Sequence, residues 1–167
     1  MQWHIFYRCY VINTSYSPAG VEVYLLNGAG ISSQLNPTFD FELGENLDSG
    51  SVVYVSGAVI FAASAASGVS ADLAYAVGIT TVSGNAGATV PVVTDEIATV
   101  DSQNITHQST LTPGRYYYLS NVAGQVTAIP PSGISISGGF QASTLVGMAL
   151  TQSDIHLEID GPVFLTP

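Results

Sequence analysis

Short runs of β-branched and aromatic residues, interrupted every few positions by Gly, Asn or Pro, leave this chain few choices of fold. "VEVYLL" (Val21–Leu26), "FDFEL" (Phe39–Leu43), "SVVYVS" (Ser51–Ser56), "AVIFAA" (Ala58–Ala63), "TVPVVT" (Thr89–Thr94), "RYYYLS" (Arg115–Ser120), "LVGMAL" (Leu145–Leu150) and "IHLEID" (Ile155–Asp160) all have strand length. Their breakers fall at hairpin intervals. "FDFEL" and "IHLEID" alternate apolar and polar residues, so each presents one face inward and one outward. The one alanine-rich stretch, "FAASAASGVSADLAYAV", is cut by Gly68 and several serines. It reads as strand, small-residue loop and strand resuming at Leu73, with a short helix near Ser70–Tyr75 as the alternative. The expected class is all-β: a compact β-barrel or β-sandwich of residues 21–167, preceded by an N-terminal arm or edge strand over residues 1–20.

Within that grammar two stretches echo each other. "SGSVVYVSGAVIFA" and "TPGRYYYLSNVAGQVTA" place Gly50, Tyr54 and Ser56 against Gly114, Tyr118 and Ser120, each pair 64 positions apart (114 − 50, 118 − 54, 120 − 56). A strand with an internal glycine follows each, Gly78 in "AYAVGIT" and Gly147 in "TLVGMAL". Glycine inside a strand marks a bulge, a bend or a close backbone approach. Any two hairpins share part of this pattern. The expectation is nevertheless a repeated hairpin unit, near residues 47–80 and 111–160.

The side chains that cover this scaffold are unusual. Charged residues make up 8% of the chain, against about 25% in ordinary soluble domains. There are two cations, Arg8 and Arg115, and twelve acids, for a net charge of −10. Such a chain repels phosphate, which argues against nucleic acid and anionic membrane surfaces as partners. No apolar run is long enough for a membrane-spanning helix. The N-terminal stretch lacks a basic region and is interrupted by Arg8, so no signal peptide is expected. Cys9 is the only cysteine and reads as a buried thiol, so no internal disulfide can form.

Chemistry is sparse. There is no lysine for a Schiff base or a P-loop, and no G-x-S-x-G nucleophile turn. His4, His107 and His156 lack metal-ligand spacing. Asp154, His156 and Glu158 share one strand face, which reads as a solvated face before it reads as a cation site. Asp95, Glu96 and Asp101 lie close in sequence but without the order of a calcium loop. The expectation is no enzyme, no cofactor and no metal. What the sequence does offer is aromatic anchors. Trp3, Phe6, Tyr7 and Tyr10 stud the arm, and Arg115, Tyr116, Tyr117 and Tyr118 open one hairpin. Aromatics and arginine dominate interface hot spots, so these eight are the candidate interface residues. Arg115 is expected to pair with an acid inside the fold or across a subunit boundary.

The segment "LTPGRYYYLSNVAGQVTAIPP", followed by "LVGMALTQSDIHLEID", resembles a module that recurs in tailed-phage virion proteins. Gly114, Tyr117, Tyr118, Leu119, Ser120, Gly124, Thr127, Pro130, Gly147 and Ala149 carry the likeness. The earlier "SGSVVYVSGAVIFAASA…AVGIT" is similar to a segment of small capsid decoration proteins. The resemblance covers the last third well and the middle loosely, and does not reach residues 1–46. It implies a homotrimeric decoration or cement protein. Such a protein would bind the major capsid protein on the capsid surface of the virion, after synthesis in the host cytoplasm. The same module occurs in fibre and tail-tip chains. The alternative is therefore a tail fibre, spike or baseplate component that binds host-surface glycans.

Overall fold

Extended runs buried in a core satisfy most of their backbone groups by pairing with other strands. A computed structural model of the protein describes residues 16–17, 20–21, 38–66, 69–131 and 142–165. By internal packing the chain divides into Met1–Leu35 and Asn36–Pro167. In the first unit the described part is a ribbon of β1 (Tyr16–Ser17) and β2 (Gly20–Val21), with Tyr16 opposite Val21. "VEVYLL" beyond Val21, and the arm residues Trp3, Phe6, Tyr7, Cys9 and Tyr10, lie outside the described residues.

The second unit is all-β. Its first half is a closed five-stranded barrel of β3 (Thr38–Leu43), β4 (Val52–Ser56), β5 (Val59–Ala62), β6 (Ala76–Thr80) and β7 (Thr89–Val93). Around the barrel the order is β3-β5-β4-β6-β7, and all pairings are antiparallel except β3 with β5. Its second half is a five-stranded sheet ordered β10-β9-β12-β13-β8. The strands are β8 (Glu96–Thr99), β9 (Tyr116–Leu119), β10 (Val126–Thr127), β12 (Leu145–Ala149) and β13 (Asp154–Leu157). A small ribbon of β11 (Ala142–Ser143) and β14 (Val163–Phe164) completes it.

The two halves are copies of one plan. Matching β3, β4, β5, β6 and β7 to β8, β9, β10, β12 and β13 reproduces the strand order. The barrel closes through parallel pairing of Leu43 with Ile60, and the second half makes the equivalent parallel bridge between Ile105 and Val126. Even the irregularity is shared. Along β4 and β6, Val53 faces Gly78 and Tyr54 faces Ala76, with the register slipping between them. Along β9 and β12, Tyr117 faces Gly147 and Tyr118 faces Leu145, with the same slip. The glycines are required there. A Cβ on Gly78 would overlap the carbonyl of Val93, and one on Gly147 the carbonyl of His156. Gly50 and Gly114 both take left-handed φ, 76° and 80°. Gly50 donates to the Thr80 carbonyl (2.8 Å), as Gly114 does to that of Ala149 (2.7 Å).

The first barrel is filled by Leu43, Leu47, Val53, Ile60, Val90 and Val92. The second core holds Leu111, Tyr117, Leu119, Val126, Val146 and Ile155. It is continuous with Val52, Ala63, Ala65, Ile79 and Val93 from the first barrel. Backbone bonds tie the halves together: Val52 N–H to the Gly124 carbonyl (2.9 Å), Gly124 N–H to Ala63 (2.8 Å) and Ala65 N–H to Ser120 (2.9 Å).

One local expectation differs. The strand expected from Leu73 begins at Ala76, and Ala71–Ala74 form a 3-10 helix. The Ser70 side chain accepts from the Asp72 N–H, and this local bond competes with extended pairing. Among the described residues no helix is long and apolar enough to cross a membrane.

Candidate interaction surface

Alternation along β9 separates the three tyrosines. Tyr117 points inward and is fully enclosed; its hydroxyl accepts from the Thr112 N–H (2.8 Å) and donates to Gln108 (3.1 Å). A buried tyrosine needs such partners for its polar tip. Tyr117 is therefore a core residue and not the interface residue expected from its neighbours. Tyr116 and Tyr118 point outward, with Tyr116 47% exposed and Tyr118 half-buried. Arg115 is exposed, and among the described residues it forms no ion pair.

Register places Tyr116 in a row that crosses the sheet. It faces Met148, which faces His156, which faces Ile97. The row is apolar at both ends with an imidazole between. His156 Nδ1 lies 3.6 Å from Glu158 Oε1, and both side chains are about half exposed. Asp154 accepts from the hydroxyls of Thr99 (2.9 Å) and Thr151 (2.8 Å), so its carboxylate is occupied in bracing strand ends. The Asp95 carboxylate caps the Glu96 N–H (2.8 Å). Among the described residues no three of His, Cys, Asp or Glu gather as a metal site would require.

A second aromatic group was not visible in the sequence. Tyr75, just after the 3-10 helix, meets Phe164 of β14 with ring centroids 6.2 Å apart, and both are exposed. The β11–β14 pairing sets Phe164 opposite Ala142, and the Thr144 hydroxyl, donating to the Ala74 carbonyl (2.9 Å), ties the Tyr75 segment to that ribbon; nothing local to "PVFL" signals it. Other large apolar side chains also stand in solvent, including Phe39, Val55, Ile129 and Val163. Polar clefts open among the described residues. The one at the junction of the halves is lined by Glu45, Asp48, Gln103, Asn104 and Gln125. It lacks the apolar walls that usually grip a small ligand.

No protein-family model matches this chain, and no curated protein is significantly similar to it.

Proposed function

We propose that this chain is a structural virion protein that binds the assembled capsid shell of a tailed phage and stabilises it, as a decoration or cement protein. The observation that carries this reading is the surface. Tyr75, Val163 and Phe164 are each between 44% and 65% exposed on a body with very few charges. Covering apolar surface is favourable by about 25 cal/mol per Å², and interface cores are poor in Lys, Glu and Asp. A ligand that binds only the assembled shell stabilises it by mass action. The hairpin from Leu111 to Pro131, with its likeness to virion modules, supports the same reading. The partner is the major capsid protein, and the aromatic arm is the clamp.

The test is the copy number of the chain per purified virion, measured by quantitative mass spectrometry against the major capsid protein. Near parity is expected. Deletion of residues 1–16 should then abolish binding to purified shells while the body remains folded. A handful of copies per particle would instead favour a tail component that binds host glycans. The exposed Tyr116 and the Tyr75–Phe164 pair are suited to stacking on sugar rings. Glycan binding lost on Tyr116→Ala would support that second reading. Absence of the chain from the particle would overturn both.

A further inference from the structure

The repeat makes it possible to ask of each surface what its counterpart does in the other half. In the first barrel the row Val52, Ile79 and Val93 crosses β4, β6 and β7. These residues are at most 3% exposed, because they lie against the second half in one continuous core. The equivalent row in the second half is Tyr116, Met148 and His156. Here Tyr116 is 47% exposed, and Met148 and His156 are only partly buried. Ala63, fully buried at the junction, has Ile129 as its counterpart, at 56% exposure. The glycines agree. A Cβ on Gly50 would stand 2.6 Å from the backbone nitrogen of Asp101, whereas one on Gly114 would meet nothing within 4 Å. The second half therefore carries the docking side of the first half, uncovered.

The receiving surface shows the opposite asymmetry. In the second half the first barrel's side closes over the end of the sheet that holds Leu119, Ser120 and Ala98. All three are at most 2% exposed, and Ser120 accepts the Ala65 N–H. Their counterparts in the first barrel are Val55, Ser56 and Phe39. Val55 is 41% and Phe39 55% exposed, and Ser56 is open to solvent. One half has a used mouth and an unused side. The other has a used side and an unused mouth.

We infer that two copies of this chain associate head to tail. The Tyr116–Met148–His156 side of one copy covers the Val55–Phe39 mouth of the next, repeating between chains the contact that joins the two halves within one. The occupant of each uncovered surface is thus a second copy of this chain, because the covered counterpart already shows what such a surface receives. The contact is heterologous, so it propagates until a ring closes or a filament forms. It does not rest on the capsid reading. A chain that proved to have no place in a virion would still self-associate this way.

Two variants test it by sedimentation of the full chain over a concentration series. Tyr116→Glu disables the side and Val55→Glu the mouth. Both positions are exposed, and unchanged circular dichroism and melting serve as fold controls. Phe39→Glu replaces Val55→Glu if the latter misfolds. The wild type is expected as a multimer and each variant alone as a single chain. Mixing the two variants should restore a two-chain species that grows no further, because one intact side meets one intact mouth. A wild type that stays monomeric would overturn the inference. So would a variant that keeps the full multimer, or a mixture that forms no two-chain species.

Discussion

The two halves of the body share a backbone and differ in what fills and surrounds it. In both, a left-handed glycine opens the hairpin, a bulge interrupts the next pairing, and a second glycine lets two strands approach. The fully buried residues of the first barrel are aliphatic, with Phe41 packed against them, and the barrel is flanked on one side by its sibling. The second places Tyr117 where the first has Val53, and leaves the corresponding side in solvent. Backbone grammar and surface identity have therefore been set independently. Glycines and bulges specify the barrel, and outward-facing residues specify what it meets.

The sharpest way to break this comparison is to put the same charge on equivalent positions. Val52→Glu places a carboxylate in the junction core, among apolar side chains. It should cost about 3–5 kcal/mol or abolish folding. Tyr116→Glu, at the matching place, should change stability by less than about 0.5 kcal/mol at concentrations where the chain is monomeric. Urea unfolding measures both. Because one core runs through both halves, a single transition is expected. Equal losses at the two positions would mean that the Tyr116 side is covered within the chain.

The interior offers the next contrast. Tyr117→Ala removes a fully buried ring and strands the hydrogen bonds to Thr112 and Gln108. A loss of roughly 3–4 kcal/mol is expected. Val53→Ala, its counterpart, should lose about 2 kcal/mol, in line with its smaller buried side chain. If the order were reversed, the second core would be collapsing around the missing ring and the first would not.

These contrasts also mark how far the sequence could be read. Strand positions and the hairpin echo were legible because they rest on local demands. Gly50 and Gly114 must turn the chain, and Gly78 and Gly147 must admit a neighbouring carbonyl. Period 2 along "RYYYLS" also puts Tyr117 on the opposite face from Tyr116 and Tyr118. Which parity faced the core was not legible, because that depends on the distant pairing of β9 with β12. The row Val52, Ile79 and Val93 reads no differently from any apolar strand positions, yet it is a junction and not a barrel interior. Likewise nothing near Phe164 announces Tyr75, which stands almost ninety positions earlier. Docking between halves and pairing of remote ribbons are long-range choices, and period 2 does not encode them.

The smallest contrast tests the same asymmetry on the backbone. Gly50 and Gly114 both sit at positive φ, where any Cβ is strained by about 1 kcal/mol. At Gly114 that strain is the whole penalty, since the space around its Cβ position is open. Gly114→Ala should therefore cost about 1 kcal/mol. At Gly50 the added methyl would also press on the Asp101 nitrogen and the Val100 Cα, 2.6 and 3.2 Å away. Both are backbone atoms and cannot swing aside, so the segment after β8 must shift. Overpacking of this kind adds about 1–3 kcal/mol. The difference between the two alanine variants, read from urea midpoints at constant slope, measures how tightly the first barrel's side is seated. A difference near zero would mean that the junction yields. The second half's uncovered side would then be a poor guide to what it can hold.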